Sequence, residues 1–243
     1  MSTIDITSLY SYYIYQNLTQ SLIFRKKGKV ILFPENSGAM LLWGQSVFIG
    51  GEFLNANGDQ FISVLGDFDT PRYLYYPNDI WYTFIKNTLF NKLKDKYLNV
   101  YQFNNAKNTK FNEKNECIVP ITREFTENNF LNTNLIIDEL YSYTDLEDFF
   151  QNGFGFALII DGKVCGYCLS EYSINNSHGI NIWIDEQYRQ LGYAKKMVDS
   201  FLIQCQEKNQ SSYWVCNADN IPSNKLAISS GFVLISTMHY FEL

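Results

Sequence analysis

The chain has 243 residues, a formal net charge of −6, and 46% hydrophobic, 17% aromatic and 18% charged residues. This composition excludes a disordered chain and supports a buried core, while the length predicts two α/β modules. The acidic balance and the lack of a Lys/Arg stripe argue against nucleic acid as a partner.

No apolar run reaches the length a membrane helix needs, and residues 1–17 lack the basic start and apolar stretch of a signal peptide. The expectation is a cytoplasmic protein without a membrane partner. Five cysteines, an odd number, predict reduced thiols.

In chain order, Met40–Trp43 and Val47–Ile49 read as strands around a turn at Gly44, with Gly50-Gly51 closing the second. Ile80, Trp81, Phe84, Ile85, Leu89 and Leu93 have helical spacing. Trp43, Trp81 and the many tyrosines of this half read as core. The polar run Asn104 to Glu116 predicts a linker. It divides the chain into an N-terminal α/β domain, residues 1–112, and a second domain, residues 113–243.

In the second domain Cys117–Ile121 reads as a strand and Asp145–Gln151 as part of a helix ending at Gly153. Phe154–Ile160 and Val164–Ser173 form a hairpin around Asp161-Gly162, and a turn at Asn175-Asn176-Ser177 leads to a third strand, Gly179–Ile184. Cys165 and Cys168 spell C-x-x-C, but on a strand residues three apart face opposite sides, so neither a redox nor a metal pair is expected. The period then changes to 3.6: Ala194, Met197, Val198, Phe201, Leu202 and Cys205 form one buried helix face. Tyr213–Asn217 reads as a buried strand, Pro222 and Ser223 open a short helix that Gly231 closes, and two strands around Ser236-Thr237 finish the chain.

The turn Arg189-Gln190-Leu191-Gly192-Tyr193-Ala194 joins a strand to that amphipathic helix. The first amides of a helix lack internal partners, small residues let a ligand approach them, and the helix dipole favours an anion there. Arg189 adds a positive charge. No G-x-x-x-x-G-K-[ST] and no helix-opening G-x-G-x-x-G occurs, which removes two other nucleotide-binding readings. Further on, Asn220, Ser223, Leu226, Ala227, Gly231 and Phe232 spell N-x-x-S-x-x-L-A-x-x-x-G-F.

Together, R-x-x-G-x-A and this second pattern resemble the GNAT superfamily of N-acetyltransferases, from Cys117 to Leu243. Asp148–Phe156 and Tyr213–Asn217 resemble, more narrowly, a bacterial subgroup with an extra N-terminal α/β region. The resemblance implies an α/β (α+β) fold whose central mixed sheet is splayed to admit the cofactor and flanked by helices. It also implies acetyl-CoA as cofactor, no metal, and an amine of a small molecule or peptide as acceptor, with the chain a monomer or a homodimer. The N-terminal domain is then a degenerate copy of the fold, a lid over the acceptor site, or a dimer surface.

Residue by residue, the resemblance implies that the backbone of Ile182, Trp183 and Ile184 holds the pantetheine arm. The amides of Gln190, Leu191, Gly192, Tyr193 and Ala194, beside Arg189, hold the pyrophosphate. Asn217 and Asn220 hold the arm, and Ser223 opens a helix near the thiol.

An alkyl ammonium has a pKa of about 10.4, so transfer needs a base, and the acyl oxygen needs a donor, expected at the Ile184 N–H. Many members carry a Tyr acid where Ala227 stands and a Glu where Gly179 stands. In their absence His178 is the first expected base, since its ordinary pKa is about 6.5, and Glu171 the second. Ser223 and Tyr240 are the expected acids. The competing reading is an acyl-CoA-binding sensor that has lost the catalytic groups.

Overall fold

The computed structural model describes residues 6–10, 16–33, 37–52, 57–66, 73–89, 93–103, 116–128 and 130–243. The expected linker, apart from Glu116, lies outside them. Two compact units divide at other points: Met1–Leu98 with Thr237–Leu243, and Asn99–Ser236.

The first unit begins with a 3₁₀ turn, Ile6–Tyr10, and α1, Gln16–Phe24. Strands β1 (Lys29–Leu32), β2 (Gly38–Trp43) and β3 (Ser46–Gly51) form an antiparallel meander. Helix α2 (Asn57–Gly66) crosses to β4 (Tyr73–Tyr75), which pairs parallel with β3. Helix α3 follows at Asp79–Leu89, one turn short of the expected Leu93, because Lys94 already begins β5 (Lys94–Phe103). The core of this unit gathers Phe33, Met40, Ile49, Phe61, Leu74, Trp81 and Ile85.

The second unit repeats that order. After β6 (Ile118–Pro120), the short helices α4 (Arg123–Glu127) and α5 (Asn134–Ile137), and α6 (Leu146–Asn152), it has a meander of β7 (Gly155–Ile160), β8 (Lys163–Ile174) and β9 (Ser177–Ile184). Helix α7 (Tyr193–Glu207) crosses to β10 (Ser211–Asn217), parallel to β9, and α8 (Ile221–Ser229) leads to β11. Both hairpin turns have positive φ at their two central residues, 50° and 72° at Asp161 and Gly162, 51° and 59° at Asn175 and Asn176. That is the twist a two-residue hairpin requires and Asp, Asn and Gly supply.

One strand, β11 (Phe232–Glu242), stands where two were expected. What changes near Ser236-Thr237 is the unit. Residues Tyr240–Glu242 pair with β4 inside the first unit, while Phe232 belongs to the core of the second. Strand β5 divides likewise between Leu98 and Asn99.

Two cores cover the two faces of the second unit's sheet. One holds Phe154, Ile180, Ile184, Met197, Phe201, Leu202 and Trp214 under α7 and α8; the other holds Phe125, Ile136, Tyr143, Phe149, Tyr167 and Leu169 under α4–α6. Cys165 and Cys168 lie in the same core, contrary to strict alternation. Leu158 pairs with Gly166 and Ile159 with Val164, so Cys165 is a bulge, and one extra residue brings positions three apart onto one face. All five cysteines are free. No helix among the described residues is long and apolar enough to cross a membrane.

Candidate active site

Strand β9 pairs with β8 along its length, but with β10 only through Ser177–Gly179 and Ser211–Tyr213. Beyond Gly179 the two strands part. Which groups face the opening follows from alternation. The Asp185 N–H bonds the Cys165 carbonyl at 2.9 Å, toward β8, whereas the His178 carbonyl accepts from the Ser212 hydroxyl at 3.2 Å, on the β10 side. The even residues of β9 therefore turn their backbone groups away from β8, and the N–H groups of Ile182 and Ile184 face the opening. The backbone of Trp183 faces the β8 ladder, and its ring stacks on Tyr167 at 5.7 Å.

At the end of β9 the chain turns through Gln190 (φ 63°) and Gly192 (φ 82°) into α7. Gly192 is the N-cap and no side chain caps the helix. Leu191, Tyr193 and Ala194 complete the turn, so their amides lack helix acceptors. The first turn has no acidic residue and carries Lys195, which pairs with Asp199 one turn on, and Lys196, a charge order opposite to what the helix dipole prefers unless an anion sits there. Arg189 donates to the Ile184 carbonyl at 3.0 Å and pairs with Glu186 at 3.3 Å. Open amides, neighbouring cations and a parted strand pair fit the phosphates and amide arm of an acyl-CoA.

Across the opening, Asn217 ends β10 and its carbonyl accepts from the Asn220 N–H at 3.0 Å. The Asn220 side chain caps α8 through the Ser223 N–H at 3.2 Å, and the Ser223 hydroxyl accepts from the Trp214 indole at 3.0 Å. Ala227 is fully buried in the core beside Tyr101 and Trp214. Asn224, which sequence reasoning passed over, ties this corner together. It accepts from Asn99 (2.8 Å) and Tyr101 (2.5 Å) and donates to the carbonyls of Asn217 (3.0 Å) and Asn220 (2.7 Å).

The expected bases lie on opposite faces of the sheet. His178 packs on Phe154 (5.1 Å between rings), on the α7 side, with its Nδ1 2.8 Å from the Ser173 hydroxyl; that hydroxyl and the Ser170 hydroxyl each lie 2.8 Å from the Tyr143 oxygen. Glu171 lies on the other face, directly across from Gly179. A plain two-residue hairpin from the Ile174–Ser177 pair would set Glu171 opposite Ile180 and turn it the other way. A bulge between Glu171 and Ile174, with Tyr172 at φ 44°, shifts the register by one. Positive φ at a bulky aromatic is a strained conformation of the kind that clusters at functional sites.

A Cβ at Gly179 would lie 2.9 Å from the Tyr213 ring, so a Glu side chain there would have to displace that ring. Tyr213 fills that place and Glu171 brings a carboxylate to the same face. Desolvation and, second to it, the neighbouring Glu139 carboxylate together push the Glu171 carboxyl up to about 7. Tyr240 belongs to the first unit, where it stacks on Tyr75 at 5.0 Å. Among the described residues no group of three or more His, Cys, Asp or Glu is placed to hold a metal ion.

A mixed sheet, a parted parallel strand pair and an open helix start define an acetyltransferase of the GNAT class. The model described as GNAT acetyltransferase matches residues 12–241, through both units, and the chain belongs to the GNAT acetyltransferase family. Membership implies acyl-CoA as acyl donor and an amine as acceptor.

YdfB of Bacillus subtilis (strain 168), described as an uncharacterised N-acetyltransferase, is 30% identical over 100 residues, 40% of this chain and 38% of that protein. The match spans well under half of either chain. A GCN5-related N-acetyltransferase-like protein from Streptococcus suis aligns with a TM-score of 0.71 at 20% identity, over 98% of this chain and 96% of its own. A GNAT-family acetyltransferase from Colwellia psychrerythraea gives 0.60 at 13%, over 100% and 98%. A tandem GNAT protein from the clavulanic acid biosynthesis pathway gives 0.60 at 10%, over 98% and 92%. At such identities these structures speak for the fold alone.

Proposed function

We propose that the protein is an N-acetyltransferase that moves the acetyl group of acetyl-CoA onto a primary amine by direct transfer in a ternary complex. Glu171 is the base. The observation that carries this reading is the register shift that sets a half-buried carboxylate, raised to about 7, across from Gly179, where the family often has its own Glu.

Acetyl-CoA, when bound, supplies an acetyl group activated as a thioester. The amides of Gln190, Leu191, Gly192, Tyr193 and Ala194 bind its phosphates with Arg189 and the α7 lysines nearby, and the N–H groups of Ile182 and Ile184 bind along the arm. The Ile184 N–H is the donor available to the acyl oxygen. Glu171 takes the proton from the acceptor ammonium, a role that a carboxyl titrating near neutrality suits. Solvent protonates the leaving sulfur, since Ala227 offers no acid.

The first unit is proposed to be a degenerate copy of the same fold. Its repeated element order supports this, as does the whole-chain likeness to a tandem GNAT protein. Ala227 favours a second reading, an acyl-CoA sensor without turnover.

The test is a thermal-shift titration with acetyl-CoA, followed by thiol release over a panel of amines. Stabilisation that grows with ligand concentration, together with amine-dependent thiol release, is the expected result. Stabilisation without release from any amine supports the sensor. Loss of stabilisation in Arg189→Glu/Gly192→Asp would place acetyl-CoA on the turn, and unchanged stabilisation would remove it from there.

A further inference from the structure

The face that carries Glu171 holds a second carboxylate. Glu139 comes from the segment between α5 and the 3₁₀ turn at Leu140–Ser142, and it accepts from the Asn181 side-chain amide at 3.0 Å and from the Tyr167 hydroxyl. Asn181 and Gly179 alternate on β9, as Tyr167 and Glu171 do on β8, so all four positions share one face. Tyr213 and Tyr141 add their rings: Tyr213 reaches the Tyr172 carbonyl at 3.4 Å, and Tyr141 meets the Tyr172 ring edge-on at 6.3 Å.

Each partner of Glu139 is a neutral donor, which fixes the direction of the carboxylate and leaves its charge in place. Two carboxylates close enough to interact therefore stand among aromatic rings with no Lys or Arg from the described residues paired to either. A cation is the missing component.

We infer that Glu139, with the rings of Tyr141, Tyr167 and Tyr213, selects an aliphatic ammonium as acceptor over a weakly basic or neutral amine. The inference rests on the acetyltransferase reading for the identity of the site. Its physical content, charge recognition by Glu139 beside rings that favour cations, stands apart from turnover. Glu139 binds and orients the ammonium, and Glu171 takes its proton.

The experiment has two arms. In the first, n-pentylamine and its neutral counterpart 1-pentanol are titrated calorimetrically into the full chain, with and without CoA, so that no transfer occurs. Pentylamine is expected to bind at least tenfold more tightly than pentanol, about 1.4 kcal/mol. Glu139→Gln, which can still meet its neutral donors, removes the difference, and Glu139→Asp restores part of it. Equal binding of amine and alcohol, or an unchanged ratio in Glu139→Gln, overturns the inference.

In the second arm, Glu139→Gln is expected to raise the KM for pentylamine about tenfold while changing kcat less than threefold, and to leave the KM for aniline unchanged. Equal effects on both amines overturn the inference. Failure of acetyl-CoA to stabilise the protein would instead sink the acetyltransferase reading, and the first arm would still decide charge recognition.

Discussion

The two units run the same course of elements and put different things at its critical point. In each, an antiparallel meander is followed by a helix and a strand parallel to the last meander strand. In each, the parallel pairing covers only the first three residues of that strand: Ser46–Phe48 on β3 and Ser177–Gly179 on β9. In the second unit the freed end of β9 leads to Arg189 and an uncapped helix start. In the first, the end of β3 is covered by aromatic side chains. The Trp81 indole donates to the Gly51 carbonyl at 3.4 Å, and a Cβ on Gly50 would lie 2.7 Å from the Tyr10 ring. The segment between β3 and α2 reads Glu52-Phe53-Leu54-Asn55-Ala56, without arginine or the R-x-x-G-x-A spacing. The comparison teaches that strand order alone does not make the cofactor site. It takes open amides beside cations, and the sequence from Glu52 to Asp59 in the first unit carries no Lys or Arg. One acetyl-CoA per chain is therefore expected by calorimetry, and a stoichiometry of two would break the comparison.

The largest expected effect is at Glu171. Glu171→Gln should lower kcat by roughly 10²–10⁴, the range for loss of a general base, while the acetyl-CoA thermal shift persists. The unmodified enzyme should gain activity as pH rises through about 7, and the variant should lose that limb. Stability moves the other way. The folded carboxyl titrates near 7 and an unfolded one near 4.5, so the folded state is the tighter proton binder and loses stability as pH rises between those values. Glu171→Gln is expected to melt several degrees higher than the parent at pH 8 and at the same temperature at pH 4. A His178→Gln variant with the larger rate loss would move the base to the other face of the sheet.

Next in size is the plug of the first unit. Trp81 is fully buried and stacks on Phe33 at 5.6 Å, so Trp81→Ala should cost about 3–5 kcal/mol in denaturant unfolding. Asn224→Ala should cost about 1–3 kcal/mol, because it leaves buried carbonyls and the Tyr101 hydroxyl short of a partner. A loss below 0.5 kcal/mol at Asn224 would mean that water replaces its bonds.

What the sequence disclosed follows the same division. The hairpins at Asp161-Gly162 and Asn175-Asn176, the helix face from Met197 to Cys205 and the turn at Gly192 were legible because local chemistry dictates them. Positive φ selects Asp, Asn and Gly, and a 3.6 period marks one buried face. The bulges at Cys165 and Tyr172 were not legible. Each is a one-residue change of register set by packing on both sheet faces; Gly166 stands beside the first, and no Gly or Pro stands beside the second. That is why strict alternation separated Cys165 from Cys168 and gave no reason to rank Glu171 above His178. Glu139 was beyond reach for another reason. It lies outside any periodic element, and only the fold brings it to Asn181 and Tyr167. In the first unit, α1, β1, α2, β4 and β5 escaped notice for want of punctuated, periodic runs, and the continuity of β11 through Ser236-Thr237 was hidden by two small polar residues.

The smallest effect sharpens the account of the turn itself. A Cβ at Gly192 would meet no atom within 4 Å, so a clash is not what requires glycine there. The requirement is conformational: φ is 82°, where an L side chain is strained. Gly192→Ala should therefore cost only about 1 kcal/mol of stability, with the acetyl-CoA shift retained at saturating ligand. Gly192→Asp adds a negative charge among amides that bind an anion, and should lose the shift at equal or smaller cost to the unliganded fold, because Asp tolerates the left-handed region better than Ala. If both variants lost the shift equally, backbone geometry rather than charge would govern the grip; if neither did, the phosphates would bind elsewhere.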